Sequence, residues 1–339
     1  MRLTPPGHNS FIDELSIEAL RQGLRLYAVG GCVRDWLAGR PCGDIDFLVS
    51  GPAEGLAATV CARHGGTWQV FGSFQTVRCF TATGERMDFA RFRRETYSRP
   101  AALPHTEPAT TIEEDLLRRD FTVNAMAVEL TENSYELTDL FGGCKDLAAG
   151  LIRVLHKRSF TDDPTRIYRA ARFAGRFGWH LSDDTAELAD QAIKDGIPGL
   201  LSRERLRNEL VKILMEKDPA PALEIIVSNG SAAFIHPALR PFPGISSFDG
   251  INARIAVLAA NMGQEHGTEF ISGLRLSKKQ SREISELAGF PVKTHGRGSV
   301  SRTGYKGPVS AVSSTGISAT DFSEAGTGLP DDKDKKDEK

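Results

Sequence analysis

What this chain lacks narrows its possibilities before any motif is considered. No apolar run approaches the roughly 20 residues that a membrane span needs, and the opening Met-Arg-Leu-Thr-Pro-Pro-Gly-His has no apolar core of a signal peptide, so a cytoplasmic protein is expected. The five cysteines, Cys32, Cys42, Cys61, Cys79 and Cys144, are odd in number, widely spaced and without a C-x-x-C pair. That pattern argues against a disulfide framework or a structural zinc site and predicts reduced, mostly buried thiols. None of the eight histidines has a second His or Cys at metal-ligand spacing, and His236 in Phe-Ile-His-Pro reads as a packed helix-end residue. Neither sign of charge is in excess: 42 Lys and Arg against 44 Asp and Glu leave a formal charge of −2. Any nucleic-acid site must therefore be a local basic face. With 40% apolar and 25% charged residues, the bulk of the 339 residues is globular.

The apolar patterning divides the chain in two. Residues 24–29 form a short apolar run ending in Gly30-Gly31, followed by helical spacing over 32–38 and a second strand over 44–49. A helix over 52–64 closes at Gly65-Gly66, and alternating segments at 75–82 and 85–92 predict a hairpin across Thr83-Gly84, which makes the sheet mixed. Residues 128–130 and 135–138 predict a second hairpin, 139–143 a turn and 152–155 a last short strand, so the α/β part ends near residue 156. From Pro164 the period becomes 3.6, predicting helices over 164–177, 182–195, 202–215, 220–228, 251–262 and 276–288, with Ser182 and Ser202 as N-caps and no strand. Beyond Phe290, Gly, Ser and Thr supply 19 of 49 residues and the chain ends in an Asp/Lys/Glu block, a composition too poor in apolar area to fold. A disordered tail over 291–339 is expected.

Chemistry concentrates around the glycine turn. In a strand, side chains alternate between faces, so Asp44 and Asp46 point the same way and Ile45 and Phe47 the other. Two carboxylates on one face are costly unless cations neutralise them, and an oxygen-rich pair suits Mg²⁺, which retains waters and takes phosphate oxygens as further ligands. Gly30 and Gly31 let backbone N–H groups approach a polyphosphate at a helix N-terminus. Asp163-Pro164 is a helix-start signal, yet Asp163 and Arg166, three apart, share a helix face. There a carboxylate can accept from an exocyclic amine and a guanidinium can donate to a ring nitrogen, an edge that cytosine and adenine both offer. Arg166, Arg169, Arg172 and Arg176 form a basic arc beside an apolar arc of Ile167, Ala170, Ala171, Ala174 and Phe177. In Ser202-Arg-Glu204-Arg205-Leu-Arg-Asn208-Glu209, the pairs Glu204/Asn208 and Arg205/Glu209 stand at i, i+4 and read mainly as structural support.

These strings carry a resemblance. Val-Gly-Gly-Cys-Val-Arg-Asp-Trp-Leu-Ala-Gly-Arg, then Asp-Ile-Asp-Phe, then Arg118-Arg119-Asp120-Phe121-Thr122-Val123-Asn124-Ala125, then Asp163-Pro-Thr-Arg166-Ile-Tyr-Arg-Ala-Ala-Arg, in order over residues 24–215, resemble the class II tRNA nucleotidyltransferase and bacterial poly(A) polymerase family. The resemblance implies a polymerase-β-like α/β head (1–156), a helical neck that recognises the base (157–216), a helical RNA-binding body (217–290) and the tail. It implies an enzyme that adds CMP and AMP from CTP and ATP to tRNA or other RNA 3′ ends, with two Mg²⁺ ions. The alternatives are a poly(A) polymerase or a relative that binds RNA without turnover. Asp44 and Asp46 would hold metal. Gly30, Gly31 and Arg34 would meet the triphosphate, and Arg119, Asp120 and Asn124 the ribose and phosphate. Asp163 and Arg166 would read the base, Arg169 and Arg172 would meet nucleotide or RNA backbone, and Asp88 would supply a third carboxylate. The family's base-reading motif has Glu where this chain has Asp162, and family members continue into a further helical domain, whereas helical patterning here ends near residue 290.

Overall fold

The structure is a computed structural model that describes residues 10–40, 42, 44–71, 76–82, 86–132 and 134–292. Nearly all of the expected tail, and the tip of the Thr83-Gly84 hairpin, lie outside the described residues. The chain begins with α1 (Ser10–Arg21), β1 (Leu26–Val29), α2 (Gly31–Leu37), β2 (Asp44–Val49), α3 (Glu54–Arg63), β3 (Thr67–Phe71), β4 (Thr76–Phe80) and β5 (Arg86–Arg91). A small hairpin of β6 (Arg93–Thr96) and β7 (His105–Pro108) leads to α4 (Ile112–Leu117), a 3-10 turn at Thr122–Asn124, then β8 (Met126–Thr131) and β9 (Ser134–Asp139). Seven strands form one mixed sheet in the order β3-β4-β5-β2-β1-β8-β9, with β2 and β5 parallel and the other pairs antiparallel.

Strand β1 is central and all four of its residues are buried, because both faces of the sheet are covered there. Leu26 and Ala28 join one core with Leu15, Phe47, Leu56 and Phe89, while Tyr27 and Val29 join another with Leu48, Phe92, Ile112 and Leu116. At about 1.5–3 kcal/mol for each large apolar side chain buried, these cores hold β2 rigidly by its apolar half, Phe47 to Val49, and leave its polar half at the surface. Phe47 stacks on Phe89 of the parallel neighbour at 4.9 Å. The Asp44–Asp46 end is thus pinned, with Ile45 packed against the core and the two aspartates left outside it.

Helices follow: α5 (Gly143–Ala149), β10 (Leu151–Ile152), α6 (Ser159–Asp162), α7 (Thr165–Phe177), β11 (His180–Leu181), α8 (Asp183–Lys194), α9 (Arg203–Leu214), α10 (Ala220–Ser228), α11 (Ile251–Asn261), α12 (Gln264–Gly273) and α13 (Lys278–Leu287). The six predicted helices are present within two residues at each end. Leu210, Ile213, Leu223, Ile255, Phe270 and Ile284 close one core across α9 to α13. Helix α7 lies close on α10 because Gly175 leaves room; a Cβ there would come 2.8 Å from the Ala222 nitrogen. No helix among the described residues is long and apolar enough to cross a membrane.

Several expectations are corrected. The short strand is β10, and it pairs in parallel with β11 instead of extending the large sheet, so a strand does occur in the helical half. Phe121, Val123, Ile152 and Val154 share a core with Ile167, Ala170, Phe173 and Ala189, across the point near residue 156 where the patterning changes. Strand β3 has no sequence signal because Thr67 to Val70 are all exposed at the sheet edge. Helix α12 was hidden by Gly267 and Gly273; a Cβ on Gly267 would meet the Ala259 oxygen at 2.4 Å, so glycine is what lets α12 approach α11. Ser202 caps α9 as expected, accepting from the Arg205 N–H, but Ser182 donates to Thr185 Oγ1 and leaves its helix uncapped by a side chain. The expectation of five reduced thiols fails at one pair: Cys61 of α3 and Cys79 of β4 are disulfide-paired in the core, with Cα atoms 6.2 Å apart. Their separation of 18 residues concealed that α3 lies over β4.

Candidate active site

The polar end of β2, the β1–α2 turn, the end of β6, the segment after α4 and one face of α7 surround a cavity of about 620 Å³. Every residue to which the resemblance assigns a role at the nucleotide or metal lines it except Asp88. Its lining holds seven arginines and five carboxylates, so this near-neutral chain does carry a local basic surface.

The turn is built around Gly30, whose φ of 77° and ψ of −128° suit glycine alone. A Cβ on Gly30 would lie 2.8 Å from Arg119 Nη1, whereas one on Gly31 would have its nearest neighbour at 3.6 Å. Of the two glycines, only Gly30 is demanded by the geometry, and part of that demand comes from Arg119.

Asp44 and Asp46 both reach solvent in the cavity, and neither side chain makes an ion pair or hydrogen bond among the described residues. The protein crowding Asp46 pushes its carboxyl above the usual range; Arg119 opposes this, while Asp88 and Asp44 add to it. Asp88 stands opposite Asp46 in the parallel β2–β5 register, as a third carboxylate would. It is already occupied: Arg78 Nε donates at 2.8 Å and Arg86 Nη2 at 2.5 Å, and although burial pushes its carboxyl up, these two arginines hold it below the ordinary value.

The arginines are committed in the same way. Arg34, 4% exposed, donates to both oxygens of Asp35 and, at 2.7 Å, to Asn124 Oδ1. Asn124 Nδ2 donates to Asp120 Oδ1, and Arg169 donates to Asp120 Oδ2. Burial pushes Asp120 up, but Arg169 and the hydrogen bonds prevail and bring it down to about 2. Both Asp120 oxygens therefore already accept within the protein, so its immediate work is to join the segment after α4 to α7. Arg172 and Arg176 rest on Glu216, and the guanidinium groups of Arg34, Arg169, Arg172 and Arg176 all lie within 5.8 Å of the Phe173 ring centroid. Phe173, Glu95 and Tyr97 are lining residues that sequence reasoning missed. Glu95 and Tyr97 belong to no motif, but Phe173 falls within the basic arc of α7, between Arg169 and Arg166 at 100° per residue.

At the start of α7, Asp163 Oδ1 accepts from the Thr165 N–H, from Thr165 Oγ1 and, at 2.7 Å, from Arg205 Nη2. It caps the helix as expected, and its Oδ2 has no partner among the described residues. Arg166, buried, donates to Ser159 Oγ and to the Arg118 carbonyl, both at 2.6 Å. The i, i+4 pairs expected on α9 do not form. Arg205 serves Asp163 and the Ala101 carbonyl, Glu204 pairs with Arg275, and Glu209 pairs with Lys212.

Far from the cavity, folding brings His236, His266 and Glu269 together with ligand atoms within 4.8 Å, which no sequence spacing announced. His236 Nδ1 accepts from the Ala238 N–H, so in neutral His236 the proton sits on Nε2, facing Glu269. A metal at Nε2 would have to displace that proton while Nδ1 is already an acceptor, so the group reads as a hydrogen-bonded cluster.

The chain is similar to several known proteins. Residues 26–153 match the Poly A polymerase head domain family, and residues 192–242 match the family described as the probable RNA and SrmB-binding site of polymerase A. The chain is 47% identical over 197 residues to the A-adding tRNA nucleotidyltransferase of Aquifex aeolicus, covering 58% of this chain and 23% of that protein. It is 42% identical over 217 residues to the A-adding tRNA nucleotidyltransferase of Geobacter sulfurreducens, covering 64% and 24%. It thus spans about a quarter of the length of these relatives. Among solved structures, a tRNA-processing enzyme in an apo form aligns with a TM-score of 0.72 and 31% identity, covering 85% of this chain and 79% of that one. The Thermotoga maritima CCA-adding enzyme complexed with tRNA aligns with a TM-score of 0.66 and 31% identity, covering 83% and 69%.

Proposed function

Because this chain belongs to the class II CCA-adding and poly(A) polymerase family, we propose that it is a template-independent nucleotidyltransferase that extends tRNA 3′ ends. In this reading, residues 1–156 form the catalytic head, 157–216 the base-reading neck and 217–290 the RNA-binding body, and the enzyme works in the cytoplasm. One observation carries it: two strand carboxylates without an ion pair among the described residues face an arginine-lined cavity that Asp163 and Arg166 also line. The 42–47% identity to two A-adding enzymes favours AMP as the nucleotide transferred, with ATP as donor. CMP from CTP is the companion activity, and poly(A) synthesis on other RNA the alternative.

The donor set fits Mg²⁺, since Asp44 and Asp46 offer only oxygen and Asp46 is held in a state that a cation would relieve. Bound at these carboxylates, Mg²⁺ would acidify the RNA 3′-OH and neutralise charge on the triphosphate and the leaving pyrophosphate. The protein's own part is positioning. The β1–α2 turn and Arg119 receive the phosphates, Asp163 Oδ2 accepts from the amine of adenine or cytosine, and Arg166 donates to the ring acceptor beside it. The 3′-oxygen then bonds to the α-phosphorus as the bond to the β-phosphate oxygen breaks. No covalent intermediate with the protein is needed.

The test incubates the protein and Mg²⁺ with one labelled NTP at a time and tRNA ending before CCA, tRNA ending in CC, or unrelated RNA. Single AMP addition to tRNA ending in CC is the expected result. Long A tails on unrelated RNA would favour poly(A) synthesis, and no transfer to any RNA would refute the enzyme reading.

A further inference from the structure

We infer that Asp115 is a positioning residue for nucleotide transfer, acting through Arg119; the inference rests on the nucleotidyltransferase reading. Asp115 lies on α4, outside the cavity lining, with its side chain 0% exposed. A fully buried carboxylate is expensive unless charges and hydrogen bonds compensate it, and here both side chains that it holds, Arg118 and Arg119, line the cavity. Oδ1 accepts from Arg118 Nε at 3.0 Å and Nη2 at 2.9 Å and from the Arg93 N–H at 3.2 Å; Oδ2 accepts from Arg119 Nη2 at 3.1 Å. Burial pushes the carboxyl up, but the Arg119 and Arg118 charges outweigh it and keep the group below its ordinary value.

Both arginines emerge into the cavity. Arg119 occupies the space above Gly30 that a Cβ would fill, exerts its field on Asp46 and has a buried Nε with no hydrogen-bond partner among the described residues. One buried carboxylate thus aims a guanidinium at the junction of the phosphate turn and the strand carboxylates. Asp115 comes three and four residues before the pair it holds, so a single helix turn sets the geometry. Its pull also spares Asp46: without Asp115, Arg119 would be free to swing onto the strand carboxylates and compete with a cation.

A double-substitution cycle on the full chain tests this. Asp115→Asn keeps the shape but turns an amide donor toward one arginine, and we expect kcat/KM for ATP to fall about 30-fold, with the Mg²⁺ concentration for half-maximal rate raised. In an Arg119→Ala background the same change should cost less than about 2-fold, because its target is gone. A purely structural Asp115 would give equal losses in both backgrounds, and that outcome overturns the proposal, as does an unaffected single variant. If Asp115→Asn does not fold by circular dichroism, Asp115→Glu, which keeps the charge and shifts it by one methylene, gives the same cycle. A wild-type chain that transfers no nucleotide and binds none overturns the function reading and the proposal with it. A wild-type chain that is active, with additive variants, overturns this proposal alone.

Discussion

On β2, Asp44 and Asp46 face the cavity with no ion pair among the described residues, whereas on α7 each cavity-facing arginine past the first turn rests on a carboxylate from another element. Both walls are highly charged, yet one is internally balanced and the other is not. The balanced wall keeps its shape with or without ligand, since Asp120 and Glu216 already supply the counter-charge that phosphate would otherwise bring. The unbalanced wall stores repulsion that only a cation removes. Preorganised donors on one side and an unmet electrostatic demand on the other are what a site built on positioning and charge neutralisation requires.

The comparison breaks most directly at the acidic wall. Asp44→Ala and Asp46→Ala are expected to lower kcat by about 1,000-fold or more while leaving the melting temperature unchanged or slightly raised, because a metal ligand is lost and like-charge repulsion relieved. Near-normal turnover with Mg²⁺ in either variant would show that the unpaired carboxylates are not the metal site.

The turn between the walls comes next. Gly30→Ala forces a side chain into a positive-φ conformation and against Arg119, and urea unfolding should register a loss of about 2 kcal/mol. Gly31→Ala, with room for its methyl, should be nearly silent in the same assay. Equal effects at both positions would contradict the asymmetry between the two glycines.

Base choice sharpens the contrast at a single residue, since Asp163 is half balanced. Asp163→Asn can still cap α7 but can turn a donor toward the base, so discrimination between ATP and UTP, read as the ratio of kcat/KM, should fall about 10-fold. Arg166→Lys keeps the charge without the planar fork and should also lower the ratio. A ratio unchanged in both variants would remove these side chains from base selection.

The smallest effect concerns the balanced wall in acid. Asp120 titrates at about 2 in the folded protein, against about 3.9 in an unfolded chain, so its stabilisation is complete above about pH 4 and is lost as the pH falls toward 2. Between pH 5 and pH 3 this amounts to about 1 kcal/mol, and Asp120→Asn should flatten the pH dependence of the urea midpoint by that much. An unchanged slope would mean that the Asp120–Arg169 pair contributes nothing to stability.

Much of this site was legible because its chemistry is local. Asp44 and Asp46 follow from strand alternation, Asp163 and Arg166 from helix spacing, and the glycine turn from its place between a strand and a helix. What stayed hidden depends on partners distant in the chain. Arg205 looked like the partner of Glu209 because sequence offers only i, i+4 neighbours, and its real partner, Asp163, is 42 residues away. Asp120 looked free to meet a ribose until Arg169, 49 residues on, closed over it. Strand β11, at two residues, is too short to carry a period, and Cys61 and Cys79 meet only once α3 is laid on the sheet.

The apolar cluster shared by residues on both sides of position 156 has a consequence for modular exchange. Phe121 and Val154 are covered by Ile167, Phe173 and Ala189, the Ser182 N–H donates to the Ile152 carbonyl, and β10 needs β11 for its only strand pairing among the described residues. A graft that exchanged the first 156 residues with those of a relative would import one half of an interface fitted to a different second half. A block that keeps the buried members of this cluster together runs at least to the end of α8 at Lys194, carrying the base-selecting residues with the strand carboxylates, and Asp163 and α7 tie it onward to Arg205, Glu216 and α10. Chimeras cut at 156 should therefore fall in soluble yield, and chemistry and nucleotide choice should travel together whenever this scaffold is recombined.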